Sequence, residues 1–136
     1  MLWRIVIIGI ALWAVGSVGI RLAGQYLLHP QSSLRTLLLY LISFLLMALL
    51  ARRIFFSVGV QKDAWPQAAT LLALPTLLLD PFSSAFFASV FPNVDSAAAG
   101  VFGGWMLICC AGAMAGAWFN GGWVNGTWSN GARVKA

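Results

Sequence analysis

Four apolar stretches, each close to the length that a helix needs to cross a bilayer, fill most of this 136-residue chain. A membrane-spanning helix takes about 20 consecutive and mostly apolar residues. The stretches that meet this requirement cover residues 5–28, 34–51, 64–80 and 97–119. Because the connections between them are short, the sequence predicts an all-α protein of one domain, built as a membrane-spanning four-helix bundle.

The composition argues against a water-soluble domain. Apolar residues make up 61% of the chain and charged residues 8%, against roughly 25% charged residues in soluble domains. Eleven charged side chains are too few to cover a surface that faces water. The net charge of +5 does not indicate a nucleic-acid partner, because the basic residues are spread along the chain instead of clustering on one face. The predicted partner is the lipid bilayer.

The first apolar stretch has two interpretations. Met1 to Arg4 forms a short basic start, and Ala14-Val15-Gly16 resembles the cleavage site of a signal peptide. Apolar character nevertheless continues beyond that site to Leu28. We therefore expect this stretch to be retained as the first spanning helix.

Basic residues flank the apolar stretches unevenly. With four spans, the N-terminus, the second connection and the C-terminus share one side of the membrane, and six basic residues lie there: Arg4, Arg52, Arg53, Lys62, Arg133 and Lys135. The other side has Arg21 and Arg35. Because basic residues accumulate in cytoplasmic loops, the sequence predicts that both termini are cytoplasmic. The tail rich in Asn, Gly and Trp, residues 120–136, is then a cytoplasmic segment.

The first and third apolar stretches each contain a charged residue far from the start of the stretch. Counted from the starts of their helices, Arg21 and Asp80 fall at similar depth in the outer third of the bilayer. A charge at such depth is costly and usually faces a partner inside the bundle. The sequence predicts an ion pair between Arg21 and Asp80, with Gln25 as an additional donor, that is either a structural contact or part of an ion relay. The alternative is that Arg21 extends alone toward the headgroups.

Pro75 and Pro81 interrupt the third stretch. Proline has no N–H to donate to the carbonyl four residues earlier, so we expect the helix to kink or stop there. Asp80 followed by Pro81 is also typical of a helix start and predicts a short helix over residues 81–90. The predicted fold thus has a broken third helix. Such a break is either a plain kink or part of a binding site, where protein or a wet cavity covers the freed carbonyls.

The fourth stretch has no charge and has small residues at a spacing of four. The glycines with this spacing are Gly100, Gly104, Gly112 and Gly116. Small residues let helix backbones approach closely in membranes, where no hydrophobic effect drives helices together. The pattern predicts a packing face that is directed either into the bundle or toward another protein.

No motif in the chain indicates catalysis or metal binding. One His and three acidic residues are too few for most hydrolytic or metal chemistry. Cys109 and Cys110 are neighbours, so they point about 100° apart on a helix and lack the spacing of a metal-binding pair. We expect neither an enzyme nor a resident metal or cofactor.

Short motifs occur from the first helix to the fourth. They comprise the segment Arg21 to Gln25, Leu74-Pro75, Leu78-Leu79-Asp80, Phe91-Pro92-Asn93, Ala98-Ala99-Gly100, Phe102-Gly103 and Trp105. Together they resemble a bacterial family of small four-helix integral membrane proteins of unknown function. The resemblance extends to about Trp118 and leaves out the tail. It implies a place in the bacterial inner membrane and no particular biochemical activity.

Two functions are compatible with the sequence. The first is a structural or accessory subunit that packs against a larger membrane complex or against itself, favoured by the lack of catalytic motifs and the uncharged fourth helix. The second is a small solute or ion-coupled transporter that uses Arg21 and Asp80 near the broken third helix. A water-accessible cleft that reaches Asp80 would favour transport, whereas a dry bundle with an extensive apolar contact to another chain would favour the accessory role.

Overall fold

The computed structural model describes residues 2–119, which are helical apart from short connections. The α-helices are α1 (Leu2–Leu27), α2 (Ser33–Val58), α3 (Trp65–Ala85), α4 (Phe87–Val90) and α5 (Ala99–Trp118). Single turns of 3₁₀-helix, Lys62–Ala64 and Ser96–Ala98, lead into α3 and α5. With these turns included, four helices are long and apolar enough to cross a membrane, as the sequence predicts. The tail over residues 120–136 lies outside the described residues.

α2 extends beyond its predicted end at residue 51 and stops at a glycine. Gly59 has a φ of 74°, in the left-handed region that favours glycine. The N–H of Gly59 donates to the carbonyl of Phe56 at 3.1 Å, and the N–H of Val60 donates to that of Phe55 at 2.9 Å. This is the hydrogen-bond pattern of a Schellman cap. The arginine pair at 52–53 therefore lies within the helix and does not close it.

α3 continues through both of its prolines. The predicted break is present, but it lies at Phe86, about one turn beyond Pro81, and the separate helix α4 has only four residues. Asp80 lies inside α3 and does not cap a new helix. Each proline removes one hydrogen bond, but its fixed φ is close to that of a helix. Pro75 is buried and lies against Gly9 of α1, and α3 packs along both α1 and α5, so its neighbours support the turns that flank the proline.

The long helices pack in the spatial order α1, α3, α5, α2. α5 lies between α3 and α2 and packs on both, and α1 packs on α3. Within residues 2–119, α1 and α2 do not pack extensively against each other. A central cavity of about 190 Å³, lined by residues of all four long helices, lies between them.

Two apolar clusters close the two ends of the bundle. One joins the start of α1, the end of α2, the start of α3 and the end of α5, and it includes Phe55 and Trp65. The other is aromatic: the ring centroids of Phe87, Phe91 and Phe102 lie 5.1 to 5.6 Å apart. The start of α1 and the end of α5 therefore share one end of the bundle, as four successive crossings require.

Candidate functional site: a buried carboxyl between two cavities

The glycine face of α5 packs against α2. A Cβ atom at Gly112 would collide with the backbone of Phe44, and one at Gly116 would collide with the backbone of Ala48. The two helix backbones approach closely because these side chains are missing. This part of the predicted packing face is directed into the bundle.

The other two glycines of the predicted face differ from each other. A Cβ atom at Gly104 would meet the hydroxyl of Tyr40, which donates to the carbonyl of Val101 at 2.9 Å. A Cβ atom at Gly100 would meet no described atom within 4 Å. Of the four glycines, Gly104, Gly112 and Gly116 therefore face α2, and Gly100 does not.

The ion pair predicted between Arg21 and Asp80 is not formed. Arg21 Nη1 donates to the carbonyl of Val90 at 3.4 Å. The Asp80 carboxylate instead accepts a hydrogen bond from Trp13 Nε1 at 2.9 Å. Arg21 is exposed and lies near the end of α1, whereas Asp80 is buried inside the bundle.

The register of α1 against α3 explains this correction. A Cβ atom at Gly9 would lie 2.5 Å from the carbonyl oxygen of Leu72 and 3.2 Å from Pro75 Cγ, so this part of α1 lies opposite the middle of α3. Asp80, eight residues beyond Leu72 and five beyond Pro75, is then level with residues 14–17 of α1, about one to two turns before Arg21 and within reach of the Trp13 indole. Counting depth from the two helix starts pairs Gly9 with Ala69 instead, and so misplaces the helices along their axes by about three to six residues.

Gln25, predicted as an additional donor to the ion pair, has a different partner. Its Oε1 accepts a hydrogen bond from Asn93 Nδ2 at 3.0 Å. Arg21 and Gln25 thus connect the end of α1 to the segment that follows α4. Their contacts are those of a loop anchor, and they lie apart from Asp80.

Asp80 has an environment that no other charged residue of the described range shares. Among residues 2–119 it is the only buried Asp, Lys or Arg, at 7% exposure. Its carboxylate has the indole N–H of Trp13 as a partner and no cationic partner in the described range. Burial of a charge without an opposite charge is costly. A residue of this kind inside an apolar bundle therefore indicates a functional site.

Asp80 lies between two cavities. A cleft of about 170 Å³ between α3 and α5 is lined by Asp80 itself, together with Ser84 and Gly103. On its other side, the Trp13 indole that binds Asp80 lines the central cavity. Met106 borders both spaces. The carboxyl group is thus accessible from the cleft, and the Trp13 indole separates it from the central cavity.

The central cavity is mostly apolar, and its two indoles have their N–H groups bonded. Trp13 donates to Asp80, and Trp105 Nε1 donates to Ser43 Oγ at 2.6 Å. Cys109 and Cys110 line the same cavity as free thiols. Within residues 2–119, no group of three or more His, Cys, Asp or Glu side chains is arranged to hold a metal ion.

Sequence reasoning missed Trp13 as the partner of Asp80. Indoles in membrane proteins prefer the interface with water, whereas Trp13 and Trp105 lie inside predicted spans. A buried indole usually has a hydrogen-bond acceptor, so these two positions predict polar partners at mid-span. Asp80 and Ser43 are those partners. Ser17, one turn beyond Trp13, adds a buried hydroxyl that has no hydrogen-bond partner in the described part of the chain.

The fold and this site define a small helical protein with four membrane-length helices and one buried carboxyl. Residues 27–122 match the model of a family of unknown function, DUF5367. The chain therefore belongs to this family. The match includes α2 to α5 with the Asp80 cleft, but it starts after the segment from Arg21 to Gln25. No curated protein and no solved structure matches the chain.

Proposed function

We propose that this protein is a non-catalytic integral membrane protein that transports a small solute or ion through a site centred on Asp80. The observation that carries this proposal is the position of Asp80, which is buried, has no cationic partner within residues 2–119 and borders a cleft. Ionisable residues within membrane helices are expensive, and they mark ion and substrate pathways when they face a cavity. A carboxyl group can carry a proton or bind a cation at each step of such a pathway.

The depth of Asp80 supports this proposal. Its partner Trp13 lies near the middle of α1, which spans Leu2–Leu27. Asp80 is therefore near the middle of the bundle, and transporters hold their substrates and coupling ions near the midplane of the bilayer. Arg21, which the sequence analysis included in the transport site, takes no part in it because it binds the Val90 carbonyl.

The proposal assigns the protein to the bacterial inner membrane with both termini cytoplasmic. The described residues at the end of the bundle that holds the start of α1 include four basic residues: Arg4, Arg52, Arg53 and Lys62. Such an excess is typical of the cytoplasmic side. Fusion of alkaline phosphatase or green fluorescent protein to the C-terminus tests the orientation. We expect the green fluorescent protein fusion to be fluorescent and the alkaline phosphatase fusion to be inactive. An active phosphatase fusion and a dark fluorescent protein fusion would contradict the assignment.

Transport through Asp80 is tested in proteoliposomes that contain a pH-sensitive dye. An inward-directed potential is imposed with potassium and valinomycin, and internal acidification is followed. We expect faster acidification than in protein-free liposomes, loss of that difference in Asp80→Asn, and retention in Asp63→Asn, which changes an exposed carboxylate. Equal rates with and without protein, or an unchanged Asp80→Asn rate, would contradict the proposal.

A second proposed function is an accessory subunit that packs against a larger membrane complex or a second copy. It is favoured by the exposed leucine stripe of α2, which consists of Leu37, Leu41, Leu45 and Leu49. The glycine face no longer supports it, because that face contacts α2. Purification in a gentle detergent, followed by mass measurement, tests this role. A stoichiometric partner or a defined oligomer would favour it, and a lone protomer in a native-lipid particle would contradict it.

A further inference from the structure

We infer that the cleft between α3 and α5 binds the primary ammonium group of a small aliphatic amine, with Asp80 as the counter-charge. This inference rests on the proposed function, since it names a ligand class for the same Asp80 site. Three properties of the cleft support the inference: its hydrogen-bond acceptors, the side chains that line it and its volume.

Three acceptor groups belong to residues that line the cleft. Asp80 supplies a carboxylate with one oxygen bonded to Trp13. Ser84 supplies a hydroxyl that faces α5, since a Cβ atom at Gly103 would lie 3.6 Å from its Oγ. Pro81 has no N–H, so the carbonyl of Leu77 lacks its usual helical donor. These three acceptors, all on α3 residues that line the cleft, equal in number the three N–H donors of a primary ammonium group.

The other walls of the cleft select against a quaternary ammonium group. Quaternary ammonium ligands are usually held by aromatic rings, and none of the described residues that line this cleft is aromatic. The apolar walls come from aliphatic and thioether side chains, among them Met106 and Leu107. They suit an unbranched hydrocarbon chain attached to the ammonium group.

The volume of the cleft limits the size of the ligand. At about 170 Å³ it is close to the engineered cavity of roughly 150 Å³ that binds benzene. A ligand of about that size is an amine with a short alkyl chain. An ammonium group at this depth is unfavourable alone, and the buried carboxylate offsets that cost by pairing with it.

The cleft opens toward the outside of the bundle between Leu77 and Leu107, whose side chains are 37% and 61% exposed. A small amine can therefore enter from the lipid phase. The ammonium group of a phospholipid stays at the headgroup level, whereas Asp80 binds Trp13 near the middle of α1. The chemistry favours a free amine over a lipid headgroup.

Binding is measured with pentylammonium as the probe, using the full chain in nanodiscs of phosphatidylcholine and phosphatidylglycerol, which have no primary amine. Pentyltrimethylammonium and 1-pentanol serve as probes of similar length without the three N–H donors or without the charge. We expect saturable binding of pentylammonium and at least about tenfold weaker binding of each of the other two probes. Added phosphatidylethanolamine should leave pentylammonium binding unchanged, because its headgroup does not reach the cleft. Headgroup competition would overturn the assignment to a free amine.

Variants locate the bound ammonium group. Asp80→Asn keeps an acceptor for Trp13 and removes the charge, so it should weaken pentylammonium binding about tenfold or more. Ser84→Ala should weaken it less, and Asp63→Asn, the matched change of an exposed carboxylate, should leave it unchanged. The circular dichroism spectrum and melting temperature of Asp80→Asn, compared with those of Asp63→Asn, establish that the variant is folded.

The result distinguishes this inference from the proposed function. Equal binding of pentylammonium and 1-pentanol, or full binding by a folded Asp80→Asn variant, would overturn the inference even if Asp80-dependent proton uptake is observed. Asp80-dependent binding of pentylammonium without any proton uptake would contradict the transport proposal and support the amine site.

Discussion

The two faces of α5 use neighbouring glycines in opposite ways. On the face toward α2, a Cβ atom at Gly104 would meet the Tyr40 hydroxyl, and the next glycines along that face touch the α2 backbone. On the face toward α3, a Cβ atom at Gly103 would meet only Ser84 Oγ at an ordinary contact distance of 3.6 Å. The missing side chain closes the contact on the first face and leaves a cleft on the second.

This difference separates the contact that holds the bundle together from the cleft that we propose as a ligand site. The α2–α5 contact is close and depends on backbone approach. The α3–α5 contact leaves about 170 Å³ unfilled beside a buried carboxyl. Substitutions on the first face should therefore act on stability, and substitutions on the second should act on ligand binding.

The largest effect is expected for Gly112→Leu. The new side chain would force the α2 backbone at Phe44 away from α5, and overpacking of this kind costs about 3 kcal/mol or more. Gly100→Leu is the matched control, because a Cβ atom there meets no described atom within 4 Å. The free energy of unfolding is measured by titration with a denaturing detergent. Equal losses in the two variants would show that the α2–α5 contact is not the close one.

The next largest effect is expected for Trp13→Phe. This change removes the hydrogen-bond donor of Asp80 and leaves a buried carboxylate without a partner, which costs about 1–3 kcal/mol. A double variant that also contains Asp80→Leu should recover part of the loss, because it removes the stranded charge. Strictly additive losses would mean that the two side chains do not interact.

A smaller effect separates the two neighbouring glycines. Gly104→Ala should lower the free energy of unfolding by about 1 kcal/mol relative to Gly103→Ala, because its methyl group displaces the Tyr40 hydroxyl. Both variants gain the same helix propensity, up to about 1 kcal/mol, so their difference isolates the contact. If Gly103→Ala were the more damaging change, the comparison of the two faces would be wrong.

The smallest effect is expected for Arg21→Ala. Arg21 is exposed and its bond to the Val90 carbonyl is long, at 3.4 Å, so the loss should be below about 0.5 kcal/mol. An ion pair with Asp80 would predict a much larger loss and strong coupling to Asp80→Asn. Measurement of the two single variants and the double variant decides between these cases.

Much of the fold is predictable from the sequence because apolar runs of membrane-spanning length are compatible with few structures. Backbone groups in lipid must bond within their own helix, so apolar runs of sufficient length predict four long helices. The end of α2 was not predicted correctly, because the arginine pair at 52–53 resembles a helix boundary. The helical hydrogen bonds instead continue to Gly59. The break in the third helix was expected at Pro81 and lies at Phe86, since packing supports the proline turns.

The candidate site could be predicted from the sequence only in part. Asp80 is recognisable from the sequence as a costly charge in a span, but its partner depends on the register between α1 and α3. That register is set by the contact of Gly9 with Leu72 and Pro75, which no count from a helix end contains. Nor does the spacing of the glycines reveal that Gly103, beside the periodic Gly104, leaves space for a cleft.

The central claim is that Asp80 binds ligand and does more than accept a hydrogen bond from Trp13. The most direct measurement is infrared difference spectroscopy with ¹³C-labelled aspartate carboxyls, because Asp80 is one of only three acidic residues in the chain and its signal is isolated by comparison with Asp80→Asn. We predict that pentylammonium shifts a carboxylate band in the native protein and that this shift is absent in Asp80→Asn. A native spectrum that does not change on addition of pentylammonium would contradict the claim.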